Sequence, residues 1–263
     1  MDTAAIDVLK PPARSEKPRK RGLTSMIDFG PDGFGWTGPR GVADLLDCAS
    51  DYIDYAKIYA MNSLLLPQPV VSEIVRMYRD AGVQPYSGGI LFEYAYRRNE
   101  IDLFVALLKR IGIPMLEISE NYITLTDEER ESFIARFQQA GLQVIYEFGR
   151  KNPEEPMDID YLEEIVVSAV EAGVGHVILE QSEIDLAVRA APERLVALAQ
   201  RDWFERVLIE ADPYRFPKQH VELIGQFGSE VNLANVAPGQ VFRLEGLRRG
   251  IGRAVNYSMF PET

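Results

Sequence analysis

Short runs of apolar and β-branched residues recur along the chain at nearly constant spacing, and a helical pattern follows each run. Eight runs begin 23 to 33 residues apart, which is the length of one strand, one crossover helix and one return loop. They are Leu23–Phe29, Tyr52–Tyr59, Val83–Ser87, Met115–Ser119, Gln143–Phe148, His176–Glu180, Val207–Ala211 and Glu230–Val236. Thr126 and Glu129 form a capping box before the helical segment that Gly141 ends. The pattern therefore predicts eight βα units.

Eight consecutive βα units favour a closed barrel over an open sheet. An open doubly wound sheet usually reverses its strand order after about five or six strands. The sequence also contains no glycine-rich nucleotide-binding fingerprint. We therefore expect an α/β protein with one (β/α)8 TIM barrel domain over residues 22–263.

Residues 1–21 differ in composition from the rest of the chain. Three prolines alternate with six lysines and arginines, against three acidic residues. We expect a flexible basic arm that packs locally, and a segment that binds nucleic acid or a protein partner is the alternative. The net charge of −12 argues against a nucleic-acid or anionic-membrane surface for the protein as a whole.

Composition narrows the chemistry further. A single cysteine, Cys48, excludes an internal disulfide and a cysteine-based zinc site. No apolar run approaches the roughly 20 residues of a membrane span, and the first residues lack the apolar core of a secretory signal. We expect a cytoplasmic protein that acts on a small molecule and binds neither nucleic acid nor membranes. Association into a homo-oligomer stays open.

The predicted strands end in acidic residues, at the end of the barrel where active sites lie. Glu117, Glu147, Glu180 and Glu210 belong to four successive strands. A carboxylate in an apolar strand is costly unless it is paired or bound to a metal, and oxygen ligands suit Mg²⁺. We therefore assign Glu117, Glu147 and Glu180 as candidate Mg²⁺ ligands. A ring of glutamates paired with lysines and arginines, without a metal, is the alternative.

Two lysines accompany these acids. Lys57 lies inside strand 2, where alternation turns it away from Ala56 and Ile58, so its ammonium needs an internal partner. Lys151 follows strand 5 after a glycine that lets the loop bend over the mouth of the barrel. We assign Lys57 and Lys151 as candidate catalytic residues, with a surface lysine as the alternative for Lys151.

Other residues near the strand ends are candidates for substrate binding. Asp28 ends strand 1, and Gly88 and Gly89 can present backbone N–H groups to an anion, although a tight turn explains the two glycines as well. Asn232 and Asn235 place two amides in an apolar setting, where amides need hydrogen-bond partners.

Several segments resemble the phosphosulfolactate synthase family in order and spacing, from about Gly22 to Gly252. They are Tyr52–Lys57, Gly88–Tyr96, Glu117–Ser119, Glu147–Lys151, Val231–Val236 and Leu244–Gly250. The resemblance implies a barrel that adds sulfite to phosphoenolpyruvate with Mg²⁺ and forms phosphosulfolactate. It also implies that Lys151 donates a proton to the substrate and that Lys57 helps to hold it.

The chain departs from the family pattern in three loops, so the resemblance is to a diverged member. Phe29 stands where the family has a lysine, and residues 59–62 replace a Gly-Trp-Gly-Thr segment. Gln181–Asp185 replaces a Gly-Arg-Glu-Ser-Gly loop that suits phosphate. Arg215 and Lys218 lie in extra residues after strand 7, and we assign both to substrate binding because they restore positive charge.

Two alternatives to the family reaction follow from these departures. The same chemistry on a substrate without phosphate is one, because acidic side chains repel a phosphate dianion in a poorly solvated site. A non-catalytic barrel, similar to stress-associated relatives of the family, is the other.

Overall fold

Eight parallel strands, paired in sequence order and closed between the first and the last, form the centre of a computed structural model that describes residues 9–32 and 37–260. The strands are β1 (Thr24–Asp28), β2 (Tyr55–Ile58), β3 (Gln84–Ser87), β4 (Met115–Ile118), β5 (Gln143–Phe148), β6 (Val177–Leu179), β7 (Val207–Glu210) and β8 (Leu233–Val236). The predicted (β/α)8 barrel is confirmed.

Helices surround the barrel and connect each strand to the next. Within the described ranges they are α1 (Pro39–Ala49), α2 (Asn62–Leu65), α3 (Gln68–Asp80), α4 (Gly89–Arg97), α5 (Ile101–Ile111), α6 (Asp127–Gln139), α7 (Ile159–Glu171), α8 (Gln181–Ala190), α9 (Pro192–Ala199), α10 (Lys218–Phe227) and α11 (Val241–Arg248). The capping box that begins α6 forms as predicted between Thr126 and Glu129. Not one helix in these ranges has the length and apolar character needed to span a bilayer.

The barrel interior is a stack of side-chain layers, and this stack places the charged residues. One apolar layer is formed by the buried residues Tyr86, Met115, Ile145, Ile178, Leu208 and Ala234. Because side chains alternate along a strand, the residue two positions further points the same way. That next position holds Glu117 after Met115, and a glutamate also follows Ile145, Ile178 and Leu208 at the same distance. The layer nearest the carboxyl-terminal mouth is therefore acidic.

The described part of the arm, residues 9–21, packs across the amino-terminal face of the barrel. The Arg14 side chain is 1% exposed and pairs with Glu230 and Glu245, at 2.9 Å each. A buried guanidinium needs fixed carboxylate partners, so Arg14 anchors the segment that carries it. Residues 1–8 lie outside the described residues, and the boundary between arm and barrel stays a prediction.

Candidate active site

Lys57 and Glu117 form a buried ion pair at the mouth. Lys57 Nζ lies 2.9 Å from Glu117 Oε2, and Asn235 Oδ1 lies 3.4 Å from the same Nζ. Lys57 therefore points into the barrel, as the alternation of strand 2 predicts. Burial lowers the pKa of Lys57, but the neighbouring Glu117 and further acids outweigh burial and hold this pKa well above its ordinary value. Lys57 is an ammonium in this site.

Lys151 lies on the open side of the same acidic layer. Its Nζ donates to Glu180 Oε2 and lies 3.5 Å from Glu210 Oε1 and 3.7 Å from Glu147 Oε1. The side chain keeps 35% of its surface exposed, so it faces both the acids and the solvent above them. Burial lowers the pKa of Lys151, but the three carboxylates raise it above its ordinary value. The structure therefore places Lys151 in the site rather than on a free surface.

Three carboxylates converge next to Lys151. Glu147, Glu180 and Glu210 are buried, and each offers an oxygen within 4.8 Å of the others. Burial and the other acids raise the pKa of Glu180 to about 7 and that of Glu210 to about 8. Burial also acts to raise the pKa of Glu147, but Lys57 and Lys151 outweigh it and lower this pKa to about 2. Charge repulsion among the three groups is therefore incompletely balanced.

The site fits a divalent cation. Its four carboxylates face only two ammonium groups, so four ionised carboxylates would exceed the counter-charge by two, and the raised pKa values of Glu180 and Glu210 reflect this excess. Glu147 Oε1 and Glu210 Oε2 are buried and have no hydrogen-bond partner among the described residues. Carboxylate oxygens are the ligands that Mg²⁺ prefers. Mg²⁺ binding itself stays a prediction.

The predicted set of metal ligands changes by one residue. Lys57 and the backbone N–H of Gly89, at 2.8 Å, engage the two oxygens of Glu117. Glu117 is therefore committed to organising the protein, and Glu210 joins Glu147 and Glu180 as the third candidate ligand. The sequence placed Glu210 at the mouth but gave no reason to prefer it to Glu117.

The two glycines after β3 serve the protein instead of presenting N–H groups to an anion. Gly88 N donates to Ile58 O at 3.1 Å, and Gly89 N donates to Glu117. A Cβ at Gly89 would lie 2.2 Å from Ser119 Oγ, so only glycine fits there. The expected anion site at these N–H groups is therefore not formed.

Asp28 holds the loop after β1. It is 3% exposed, and Oδ1 accepts from Gly30 N at 2.8 Å and from Thr37 Oγ1 at 2.6 Å. Its Oδ2 accepts from the Tyr78 hydroxyl at 2.6 Å. With both oxygens engaged, Asp28 positions the loop rather than presenting a free carboxylate to a substrate.

Asn232 and Asn235 lie at opposite ends of the barrel. The strand β8 begins at Leu233, later than predicted, so Asn232 precedes it. The Asn232 side chain accepts from Leu23 N at 3.0 Å and donates to Val207 O at 3.1 Å, at the amino-terminal face. The assignment of Asn232 to substrate binding is therefore wrong, whereas Asn235 lies at the mouth beside Lys57.

Arg215 and Lys218 follow β7 but do not contact the acidic layer in the described structure. Arg215 Nη1 bonds to both carboxylate oxygens of Asp185, at 2.8 Å each. The Lys218 side chain is 87% exposed and lies 3.9 Å from Glu222. Arg215 is thus already neutralised, and Lys218 extends into solvent.

The sequence missed Asn121 and Glu93. Asn121 Nδ2 donates to Glu147 Oε2 at 3.0 Å, and Glu93 accepts the backbone N–H of Asn121 at 2.9 Å. Asn121 lies in an irregular loop, where no hydrophobic periodicity indicates which way a side chain points. Its position just after the acidic end of β4 was the only available signal.

Solved structures share the fold of this chain. The pyruvate carboxylase of Rhizobium etli aligns with a TM-score of 0.58 and 13% identity, over 91% of this chain and 26% of that chain. KGPDC from Streptococcus mutans aligns with a TM-score of 0.50 and 9% identity, over 89% of this chain and 97% of that chain. At such identities the similarity concerns the barrel alone.

Sequence relatives extend over nearly the whole chain. The family of (2R)-phospho-3-sulfolactate synthase matches residues 12–253. The phosphosulfolactate synthase of Methanocaldococcus jannaschii is 34% identical over 241 residues, covering 88% of this chain and 92% of that protein. That of Methanothermobacter thermautotrophicus is 33% identical over 256 residues, covering 94% and 95%. The predicted resemblance is confirmed: the chain belongs to the phosphosulfolactate synthase family and is an enzyme of that family.

Proposed function

We propose that this enzyme adds sulfite to phosphoenolpyruvate with the help of Mg²⁺ and forms phosphosulfolactate. The observation that carries the proposal is the convergence of Glu147, Glu180 and Glu210 beside the Lys151 ammonium. The family membership supports the product. The departures lie in loops outside the strands and leave this central arrangement intact.

The reaction needs a place for developing negative charge and a source of one proton. The sulfite sulfur forms a bond to C3 of phosphoenolpyruvate, and the π electrons of the C2–C3 double bond move onto C2 and the carboxylate. A proton then adds to C2, and the phosphate stays on its oxygen. Glu147, Glu180 and Glu210 would hold a Mg²⁺ ion, which would supply positive charge where the negative charge develops.

Lys151 fits the role of the proton donor. The neighbouring carboxylates keep its pKa raised, so it carries its proton at neutral pH, and a cation bound to the same carboxylates would lower this pKa toward the range that suits a general acid. The exposed side of Lys151 lets it regain a proton from solvent. Lys57 is buried deeper, between Glu117 and Glu210. We assign to Lys57 the positive charge at the base of the site that favours an anionic substrate.

The direct test is incubation of the enzyme with Mg²⁺, phosphoenolpyruvate and sulfite, followed by mass spectrometry of the product. We expect the sulfite adduct to form with the wild-type enzyme and to decrease strongly after removal of Mg²⁺ by a chelator. Absence of the adduct at high enzyme concentration would overturn the specific reaction.

A second candidate keeps the chemistry and changes the acceptor to an unsaturated acid without phosphate. The observation that favours it is the pairing of Arg215 Nη1 with both oxygens of Asp185, because this cation is not free for a phosphate. Glu180 also accepts from Ser182 N at the start of α8, where a helix amino terminus would otherwise attract an anion. Sulfite addition to acrylate without addition to phosphoenolpyruvate would establish this candidate.

We further propose that the enzyme works in the cytoplasm on its small-molecule substrate. Its single cysteine, Cys48, is exposed and free, and a reducing compartment preserves such a thiol. Cell fractionation with an antibody against the enzyme tests this location.

A further inference from the structure

Glu93 is a buried carboxylate on α4 that organises the loop after β4. It is 3% exposed, and Oε1 accepts from the Ser119 hydroxyl and from Asn121 N at 2.9 Å. Its Oε2 accepts from Tyr122 N at 2.8 Å. Three donors of one short loop converge on one carboxylate, and hydrogen bonds to a charged acceptor are the strong ones. The backbone at Asn121 is therefore fixed relative to α4.

The side chain of Asn121 extends this fixation to the acidic layer. Its Nδ2 donates to Glu147 Oε2 at 3.0 Å. The other oxygen, Glu147 Oε1, is buried without a hydrogen-bond donor among the described residues and lies 3.7 Å from Lys151 Nζ. One oxygen of Glu147 is thus held by the protein, and the other is left for a ligand.

We infer that Glu93 and Asn121 form an outer shell that positions Glu147 for the divalent cation. Asn121 acts by direct contact with Glu147, and Glu93 acts through Asn121. The inference rests on the proposed function, since it takes the cation site as given. Hydrogen-bond partners of a metal ligand fix its orientation, and their loss typically weakens metal binding by about 10- to 100-fold.

The side-chain oxygen of Asn121 is available for a further contact. Its Oδ1 is buried and lacks a partner among the described residues. Because Nδ2 faces Glu147, the amide is oriented with its acceptor away from that carboxylate. The Oδ1 atom is therefore available to accept a hydrogen bond from a bound water or from the substrate, a task that an apolar side chain cannot perform.

The test measures cation binding without any turnover. The affinities of Mg²⁺ and Mn²⁺ are determined by titration calorimetry for wild type, Asn121→Ala, Glu93→Gln and the double variant. We expect each single variant to bind about 10- to 100-fold more weakly. We expect the double variant to match Asn121→Ala within about twofold, because two residues that act through one contact are not additive.

Asn62→Ala is the matched control. Asn62 begins α2, just after β2 at the mouth, but its Nδ2 donates to the Phe29 carbonyl at 2.8 Å and not to an acid of the cluster. We expect wild-type cation affinity for this variant. Thermal unfolding of all variants shows whether a weaker affinity comes from a misplaced Glu147 or from an unfolded protein. If Glu93→Gln does not fold, the affinity of Asn121→Ala alone tests whether Glu147 is positioned in this way.

The outcomes distinguish this inference from the proposed function. Unchanged affinity in Asn121→Ala overturns the role of Asn121, and independent, additive losses overturn the route from Glu93 through Asn121. A wild-type enzyme that binds neither cation overturns both this inference and the Mg²⁺ dependence. If the variants lose cation affinity as expected but the wild-type enzyme does not add sulfite, the proposed reaction is wrong and the roles of Glu93 and Asn121 stand.

Discussion

The two ends of the barrel bury charged groups in different ways. At the amino-terminal face Arg14 bonds to Glu230, Glu245 and the Gly22 carbonyl. Nearby, Arg248 donates to three backbone carbonyls, those of Ser229, Val231 and Leu23. The chain itself provides carboxylate or carbonyl partners for both guanidinium groups, except for Arg248 Nε, which has none among the described residues. These contacts fasten the arm and α11 to the strands.

At the mouth the chain provides more negative charge than it neutralises. Four glutamates face two lysines, and one oxygen each of Glu147 and Glu210 lacks a hydrogen-bond donor among the described residues. Such an arrangement costs free energy of folding unless something else completes it. The comparison teaches that burial of charge alone does not mark an active site. Several like charges that converge on one point with too few counter-charges do.

The largest expected effect is that of Lys151→Ala at the mouth. Removal of the proton donor should lower turnover by roughly 10²–10⁴-fold. Cation affinity should be retained or improved, because the variant also removes a competing positive charge from Glu147, Glu180 and Glu210. Steady-state kinetics and calorimetry measure the two effects separately.

Lys109→Ala is the control for this variant, since Lys109 is an exposed lysine on α5, away from the mouth. It should keep wild-type turnover. Restoration of Lys151→Ala activity by added Mg²⁺ would contradict the assignment of Lys151 as the proton donor.

The opposite face should respond in stability and not in catalysis. Arg14→Met keeps most of the side-chain length but leaves Glu230 and Glu245 without this partner. Loss of one partner of a buried pair typically costs about 3–5 kcal/mol, and the partial exposure of Glu230 places the expected value near the lower limit. Chemical denaturation measures the loss. A lower kcat in the folded variant would contradict the assignment of a purely structural role to the amino-terminal face.

Glu147→Gln should weaken cation binding by about 100-fold or more, since it removes a ligand charge rather than an outer-shell contact. High Mg²⁺ should restore part of the turnover by mass action. Glu117→Gln is the matched comparison and should weaken binding less, because Lys57 and Gly89 engage Glu117. Equal losses of cation affinity in the two variants would indicate that Glu117 is also a ligand. Titration of activity against Mg²⁺ provides the measurement.

The sequence predicts the barrel well because the barrel is a repeat. The same hydrophobic pattern recurs in each βα unit, so an error in one predicted strand boundary does not change the predicted fold. The direction of Lys57 was also predictable, since alternation along β2 fixes it against Ala56 and Ile58.

The sequence predicts the site less well, because contacts between units decide it. Asn232 was placed at the wrong end by an error of only a few residues in the start of β8. Glu117 and Glu210 occupy equivalent layer positions, and their roles are separated by their contacts with Lys57, Lys151 and Gly89. Asn121 sits in a loop whose conformation depends on Glu93, a residue of another unit.

The mouth should also make the cation-free enzyme sensitive to pH. Burial and like charge raise the pKa of Glu180 to about 7 and the pKa values of Glu117 and Glu210 to about 8. Between their unfolded values near 4.5 and these folded values, the folded state binds more protons than the unfolded state. Stability contributed by these groups therefore falls as pH rises.

The interval from pH 6.5 to 8 isolates this effect. Burial lowers the pKa of His176 and of His220 to about 4, so these two groups raise stability with pH only up to about 6.5. The free energy of unfolding of the cation-free enzyme should decrease from pH 6.5 to 8, and saturating Mg²⁺ should reduce or reverse the decrease. A rise in stability over this interval without Mg²⁺ would contradict the charge imbalance at the mouth.

The smallest expected effect is that of Asp185→Asn. This variant tests whether charged groups at the edge of the mouth are paired within the protein, as Arg14 is at the amino-terminal face. Asp185 holds Arg215 with both oxygens, and the Arg215 side chain is 45% exposed. The variant should free this guanidinium for a phosphate and lower the KM for phosphoenolpyruvate by at most about fivefold, since exposed pairs contribute at most about 1 kcal/mol. Added salt should reduce the gain. Asp102→Asn, which breaks the exposed pair with Arg136 on the outer helices, should leave the KM unchanged. An unchanged KM in Asp185→Asn as well would mean that Arg215 does not reach the phosphate, and it would favour an acceptor without phosphate.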